Sequence, residues 1–166
     1  MKKYLLLLFL GAAAAFSSCD SDDDTVVPPI QTPPTTTPND TTPKINYVVA
    51  KTWRLSGFTQ GDPGSATQSD LFTSGFPNCQ KDDIYKFTAP TALTIGTGNN
   101  KCNTSETDKT GTWDLNNTST TFTINNPSQT IIGLNGTFSV KEITASRMIL
   151  TQVVNGSQYT LTFSAI

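Results

Sequence analysis

Reactive side chains are few in this sequence, and one common type is absent. The 166 residues include no histidine, three cysteines, 13 acidic and 11 basic side chains. Without histidine the chain lacks the commonest general base and metal ligand, and no Ser–His or Cys–His nucleophile can form. The net charge of −2 and the pI of about 4.9 give no basic footprint for nucleic acid. An enzyme is therefore the least favoured class of function.

Adjacent carboxylates at Asp82 and Asp83 are the one pair that suggests general acid–base chemistry. Neighbours on a strand point to opposite faces, so these two side chains are not expected to share a substrate. A metal site built from them and nearby thiols would lack histidine and further cysteines. The two arginines, Arg54 and Arg147, are expected to lie on the outer surface. No catalytic residue, metal site or cofactor is predicted.

Cys79 and Cys102 are placed symmetrically about a tight turn. The turn at residues 89–91 centres a hairpin between positions 90 and 91, and each cysteine lies 11.5 residues from that centre. Opposed positions of antiparallel strands lie within disulfide reach, and an exported chain would keep the bond oxidised. The sequence therefore predicts a structural disulfide, which stabilises the fold by about 3 kcal/mol.

The amino terminus has the pattern of an export signal that ends at the remaining cysteine. A basic start at residues 1–3 precedes an apolar run at residues 5–15, and small residues precede Cys19. The apolar run is about half of the ~20 residues that a membrane-spanning helix needs. Residues 16–19 resemble the lipobox of a bacterial lipoprotein signal, although Phe16 replaces the usual leucine. The resemblance implies a signal peptide at residues 1–18 and lipidation of Cys19.

Residues 19–43 form a lipidated, acidic and Pro/Thr-rich linker in this interpretation. Residues 20–24 include four aspartates and resemble the acidic export tag of some Gram-negative outer-membrane lipoproteins. Residues 25–43 hold six of the ten prolines and seven threonines. Such a segment is expected to stay disordered and extended, as polyproline II. We therefore expect a protein that is anchored to the outer membrane by lipid and displayed at the cell surface.

Residues 44–166 are predicted to form one all-β domain. Threonine supplies 29 of the 166 residues and charged residues only 14%, a composition that favours strands. After a single helical turn at residues 45–50, apolar residues recur with a period of two, which is typical of antiparallel strands with one buried face. The predicted strands are residues 51–59, 82–88, 91–96, 111–115, 119–124, 137–143, 147–153 and 158–163. The pattern leaves open whether residues 129–133 form a ninth strand.

Two predicted connections are long and fall at the same end of the domain. Residues 60–78 and 97–110 are long, whereas the turns near residues 89 and 116 are tight. Connections in an up-and-down meander alternate between the two ends, so both long loops lie at one end and the disulfide joins their bases. The first loop is expected to fold over an open mouth as a lid, through Leu71, Phe72 and Phe76.

Five segments follow the order and spacing of one known family. They are Lys51-Thr52-Trp53-Arg54-Leu55, Asn78-Cys79-Gln80-Lys81-Asp82-Asp83, Lys101-Cys102-Asn103, Gly111-Thr112-Trp113-Asp114-Leu115 and Tyr159-Thr160-Leu161-Thr162-Phe163. Together they resemble the lipocalin-like domain of bacterial surface lipoproteins, a calycin-type barrel. The resemblance implies an antiparallel up-and-down barrel of eight or nine strands. Lys51 replaces the glycine of the Gly-x-Trp motif of classical lipocalins, so the fold implies ligand binding more than the motif does.

Such a barrel implies a binding module for a small apolar or amphipathic molecule. Eight strands enclose a bore that fills with side chains or takes one small ligand, and about fifteen bulky inward groups favour a filled or narrow bore. In barrels of this family the tryptophan of the first strand closes one end, which implies a structural role for Trp53. The residues expected to line a ligand are Trp53, Leu55, Phe87, Leu93, Trp113, Phe122, Phe138, Leu150, Tyr159, Leu161 and Phe163.

An alternative function is a surface interaction or structural role. In that case the loops at the open end would contact a protein or a glycan. The expected partners are the membrane, through the lipid anchor, and a small hydrophobic ligand, with no nucleic acid. The protein is expected to be a monomer.

Overall fold

The computed structural model describes residues 42–89 and 91–166. The predicted signal peptide, the lipidation site at Cys19 and all but the last two residues of the predicted linker lie outside these residues. No helix in the described part of the chain is long and apolar enough to cross a bilayer.

A short helix and nine strands make up the described domain. Helix α1 (Lys44–Ala50) comes first, and the single helical turn α2 (Leu71–Ser74) and a 3₁₀ turn (Asn78–Gln80) lie between the second and third strands. The strands are β1 (Thr52–Gly61), β2 (Ser69–Asp70), β3 (Ile84–Thr88), β4 (Ala92–Gly96), β5 (Lys109–Leu115), β6 (Thr121–Asn125), β7 (Gly136–Ile143), β8 (Arg147–Val154) and β9 (Ser157–Ala165).

Eight of these strands close into an antiparallel barrel. Each strand from β3 to β8 pairs with the next, and β1 pairs with both β3 and β9. The predicted all-β, up-and-down barrel is therefore confirmed. The additional strand is β2, which pairs only with the end of β1. The sequence pattern did not predict β2, because a strand of two residues is too short to show alternation. Residues 129–133, the candidate left open above, form no strand.

Apolar side chains fill the bore of the barrel. The period-two pattern turns alternate residues of the strands inward, apart from register shifts in β1 and β7, and most of these residues are almost completely buried. Phe87, Trp113 and Phe122 pack against one another, with ring centroids between 5.3 and 5.6 Å apart. Phe163 and Tyr85 meet edge to face at 5.2 Å. The side chains inside the barrel therefore form the hydrophobic core of the domain.

Helix α1 covers one end of the barrel, here called the closed end. Val48 of the helix is fully buried, and the Trp53 indole Nε1 donates a hydrogen bond to the Val48 carbonyl at 2.9 Å. The connection between β5 and β6 at this end is tight, because the Asn116 Oδ1 accepts hydrogen bonds from the amides of Thr120 and Thr121. Trp53 thus joins the first strand to the helix that precedes it.

Three long connections lie at the opposite end, here called the open end. They are residues 62–83, 97–108 and 126–135. The alternation of chain direction places the first two together, as predicted, and adds the third. Loop 126–135 is fastened at its base because the Asn135 amide accepts from the Asn126 backbone N–H at 2.7 Å and donates to its carbonyl at 3.2 Å.

The disulfide joins two of these loops. Cys79 and Cys102 are bonded, with their Cα atoms 4.9 Å apart, so the predicted pairing is confirmed. The expectation that they oppose each other on paired strands was wrong. The β3–β4 ladder ends at Ile84↔Gly96, before either cysteine is reached, and its register is centred on residue 90. The bond therefore fixes loop against loop, beyond the end of the ladder.

Candidate functional site

An apolar pocket of about 310 Å³, here called the mouth pocket, lies at the open end. Strands β1 and β9 supply its floor, and loops 62–83 and 126–135 supply its walls. The lining residues are Phe58, Gln60, Leu71, Gly75, Phe76, Pro77, Ile131, Ile132 and Tyr159. None of these nine side chains carries a charge. A pocket of this size and character suits a small, mostly apolar ligand.

A bulge in β1 decides which of its side chains reach the pocket. The pairing with β9 shifts by one residue between Leu55 and Gly57. One extra residue reverses the alternation of inward and outward side chains. Phe58 and Gln60 therefore face the interior, although alternation counted from Leu55 points them outward. The period-two pattern did not identify these two residues, and the small Gly57 directly before the large Phe58 is the signal that could have revealed them.

Aromatic rings form the floor of the mouth pocket and support one of its walls. Phe58 stacks on Tyr159 with ring centroids 5.8 Å apart, and Phe76 meets Phe58 edge to face at 6.0 Å. Phe72 stacks behind Phe76 at 5.5 Å. Such pairs add to the stabilisation that burial of the rings provides. The floor is therefore part of the packed core.

Loop 62–83 is held in place by the cap of its helical turn. The Asp70 carboxylate accepts hydrogen bonds from the Thr73 hydroxyl at 2.8 Å and from the Thr73 amide at 3.1 Å. These bonds lower the pKa of Asp70. After the turn, the Phe76 amide donates to the Leu71 carbonyl at 2.8 Å. The cap and this bond place Leu71 and Phe76 on the wall of the pocket.

Loop 126–135 forms the other wall, and a glycine brings it close to the floor. Gly133 has φ of +89°, and a Cβ at this position would lie 2.7 Å from the Tyr159 ring. The backbone can contact the ring only because no side chain intervenes. Ile131 and Ile132 therefore line the pocket. The sequence showed them as an apolar run of uncertain structure, but it could not show that they face Leu71 and Phe76.

Gln60 is the only lining residue with a side-chain amide. Its Nε2 donates a hydrogen bond to the Ser157 hydroxyl at 3.1 Å, across the β1–β9 pair. The adjacent Tyr159 is its direct register partner. This bond fixes the Nε2 atom of the amide and leaves the Oε1 atom without a part in it.

The acidic residues near the disulfide have separate partners. Asp83 is 3% exposed, and its carboxylate lies 3.8 Å from the Lys109 ammonium. Burial raises the pKa of Asp83, and Lys109 opposes this shift. Asp82 instead accepts a hydrogen bond from the Asn100 backbone N–H at 2.9 Å. Within residues 42–89 and 91–166, no three His, Cys, Asp or Glu side chains form a group that could hold a metal ion.

The structure brings part of the predicted ligand-lining set to the mouth pocket. Tyr159 lines it, and so do Leu71 and Phe76 of the predicted lid, whereas Phe72 packs behind Phe76. The other predicted lining residues lie buried in the core: Trp53, Leu55, Phe87, Leu93, Trp113, Phe122, Phe138, Leu150, Leu161 and Phe163. Their contact with a ligand, like the closing of a lid, stays a prediction.

Both arginines lie on the surface. Arg54 is exposed, and Arg147 donates two hydrogen bonds, at 2.6 and 2.8 Å, to the Glu142 carboxylate. Arg147 is about half exposed, with a side-chain exposure of 53%. Neither arginine lines the mouth pocket.

Comparison with known proteins identifies the family. The model of the lipocalin-like domain family matches residues 49–150. The chain belongs to this family. A solved structure of a DUF4847-family protein from Bacteroides vulgatus ATCC 8482 is similar to this chain, with a TM-score of 0.50 and 12% identity, over 72% of this chain and 96% of that one. At this identity the likeness shows the fold alone. No curated protein matches the chain.

Proposed function

We propose that this protein is a lipid-anchored cell-envelope lipoprotein that binds a small apolar or amphipathic molecule in the mouth pocket. The observation that carries the proposal is the pocket itself, a cavity of about 310 Å³ between two loops at the open end. Aromatic and aliphatic side chains make up most of its wall. Burying such a ligand there would remove apolar surface from water on both sides.

The binding site lies at the mouth and not in the bore. The bore residues form the core, so a ligand among them would have to displace packed side chains. The mouth pocket has space, and its floor is already rigid. A ligand there would contact Phe58 and Tyr159 below and the two loops at its sides.

We propose that the protein acts by binding and not by catalysis, as a monomer. Lipocalin-like barrels generally bind ligands, and the mouth pocket offers no charged group to take part in acid–base chemistry. The adjacent carboxylates of Asp82 and Asp83 are engaged by other residues. Native mass spectrometry of protein purified from its source would reveal both the oligomeric state and any molecule retained in the pocket.

Filling the pocket tests the binding proposal. Gly75 lines the pocket, and a Cβ there would meet only the Leu71 carbonyl, at an ordinary contact distance of 3.7 Å. Gly75→Leu is therefore expected to fold and to weaken binding of the neutral fluorescent probe N-phenyl-1-naphthylamine at least about fivefold, since overlap in a packed site costs about 1–3 kcal/mol.

Ala66→Leu is the matched control, because Ala66 is exposed on the same loop and does not line the pocket. It should bind the probe as the wild type does. Equal affinity for all three proteins, or no binding by the wild type, would contradict a binding site at the mouth.

The lipid anchor is proposed from the amino-terminal pattern. A short apolar run, small residues and Cys19 support it, and three acyl chains bind a membrane stably at ~0.8 kcal/mol for each buried methylene. The aspartates at residues 20–24 support display at the outer surface. Cys19→Ala should move the protein out of the membrane fraction, whereas Ser18→Ala, which keeps a small residue before the cysteine, should leave it there. Membrane association of both variants would exclude the anchor.

A second candidate function is contact with a protein or glycan through the loops at the open end. Ile132 favours it, because this residue is 58% exposed at the rim of the pocket. Ile132→Ser should leave probe binding within about threefold if the pocket serves a small molecule. If the open end serves a macromolecule instead, the wild type will bind no probe, and Ile132→Ser will reduce the binding of the anchor-free Cys19→Ala protein to cell surfaces.

A further inference from the structure

We infer that the mouth pocket selects an uncharged ligand that carries one hydrogen-bond donor, such as a cyclic alcohol, and that Gln60 is the residue that selects it. This inference rests on the proposed function. It concerns the chemistry of the ligand and not only its size.

The lining excludes a charged ligand. None of the nine lining side chains is charged, and Gln60 is the one with an amide. Lys81 is the only lysine or arginine in loop 62–83, and its ammonium lies over the Phe72 ring, 5.5 Å from the centroid. Phe72 itself lies behind the wall. A carboxylate in the pocket would therefore lose water without gaining a cation, which is strongly unfavourable.

The Gln60 amide has a fixed orientation and a free acceptor. Its Nε2 donates to Ser157, and no hydrogen bond of the described residues engages its Oε1. Because Gln60 lines the pocket, this oxygen is a hydrogen-bond acceptor available to a ligand buried against Phe58 and Tyr159. An amide carbonyl accepts a hydrogen bond, so the complementary ligand group is a hydroxyl or an N–H.

The aromatic floor adds a preference for flat rings. Phe58 and Tyr159 are stacked with an interplanar angle of 19°, and Phe76 presents an edge to Phe58. Ring systems pack on such surfaces in offset or edge-to-face arrangements. Three naphthalenes that differ in one substituent are therefore suitable probes: 2-naphthol, 2-methoxynaphthalene and 2-naphthoate.

Calorimetric titration of the full-length chain at pH 7 with these three compounds tests the inference. At this pH the hydroxyl of 2-naphthol is protonated, like that of tyrosine. We expect 2-naphthol to bind about three- to tenfold more tightly than 2-methoxynaphthalene, which corresponds to one neutral hydrogen bond. We expect 2-naphthoate to bind at least about thirtyfold more weakly than 2-naphthol.

Two variants assign the preference to Gln60. Gln60→Met keeps the length and apolar stem without the acceptor, so it should bind 2-naphthol and 2-methoxynaphthalene equally, within about twofold. Gln60→Glu keeps an acceptor but adds a charge to the lining, so it should bind both neutral compounds more weakly and still keep the preference for 2-naphthol. Binding of 2-methoxynaphthalene also shows that each variant is folded.

The outcomes separate this inference from the proposed function. If the wild type binds both neutral compounds equally, or if Gln60→Met keeps the preference for 2-naphthol, the role of Gln60 is wrong and the binding site stands. If 2-naphthoate binds most tightly, the choice of an uncharged ligand is wrong. If none of the three compounds binds, the proposed function fails together with the inference.

Discussion

Two buried tryptophans make the same kind of hydrogen bond in different surroundings. Trp53 donates to the carbonyl of Val48 at 2.9 Å, and Trp113 donates to the carbonyl of Thr88 at 3.0 Å. Val48 is fully buried, whereas Thr88 is exposed beside a turn, where water can replace the indole. A buried carbonyl without a partner costs about 1–3 kcal/mol.

We therefore expect Trp53→Phe to lower the free energy of unfolding by about 1–2 kcal/mol more than Trp113→Phe does. Both substitutions remove the same ring atoms from the core. The difference between their free energies of unfolding therefore measures the cost of leaving the Val48 carbonyl without a partner. Chemical denaturation followed by circular dichroism measures it. Equal losses would show that the Trp53 hydrogen bond does not hold α1 against the barrel.

Asp83 is an acidic residue whose surroundings oppose its charge. Burial raises its pKa, so the folded state binds a proton more readily than the unfolded state. The charged carboxylate therefore destabilises the fold, and this cost appears as the pH rises through the interval between the unfolded pKa and the higher folded pKa. Lys109 stays paired with Glu106 at 2.7 Å even without Asp83.

Asp83→Asn should thus raise the free energy of unfolding by about 1 kcal/mol at pH 7, and the gain should vanish near pH 3, where both states of the wild type are protonated. Urea denaturation across this pH range measures the difference. Asp82→Asn, which changes a carboxylate held by the Asn100 amide, is the control and should give no gain. Destabilisation of Asp83→Asn at pH 7 would mean that the ion pair outweighs the burial cost.

The strands were predictable from the sequence because their alternation is regular. The eight barrel strands all appear where the pattern of Thr and large apolar residues placed them. The pattern failed where regularity fails: at the bulge before Gly57, which turns Phe58 and Gln60 inward, and at Ile131 and Ile132, whose loop has no period. Four of the nine lining residues come from such places, because bulges and loop conformation depend on contacts distant in sequence.

Gly133 determines how closely loop 126–135 approaches the floor of the pocket. Its positive φ is shared by Gly64, where φ is +80° and a Cβ would meet nothing within 4 Å. Gly133→Ala adds a clash with the Tyr159 ring to the same backbone strain. We expect it to cost about 1–2 kcal/mol more than Gly64→Ala in urea denaturation, and to weaken probe binding, which Gly64→Ala should not change. Equal losses of stability and equal probe binding for the two variants would show that loop 126–135 can move away from Tyr159 at little cost.

The barrel as a whole is closed by ladders of unequal length. Strand β1 pairs with β9 over eight positions, from Trp53↔Ala165 to Gly61↔Gln158, but with β3 over only three. Since short ladders have fewer hydrogen bonds to break, the barrel should open first between β1 and β3. Native-state hydrogen exchange should give an opening free energy about 1–2 kcal/mol lower for the amides of β3 than for those in the middle of β9. Equal protection of both strands would indicate one cooperative unit.

The barrel interior is packed with side chains, whereas the pocket is formed largely by loops. This separation affects how proteins with this fold can change their ligands. Most residues that fill the bore do not line the mouth pocket, although three of the nine lining residues, Phe58, Phe76 and Tyr159, belong to both sets. If the pocket binds a ligand as proposed, mutations in loops 62–83 and 126–135 should change which ligand it binds while the barrel stays folded. Homologues with superimposable barrels should be able to carry unrelated guests, and exchange of these two loops should transfer the preference from one scaffold to another.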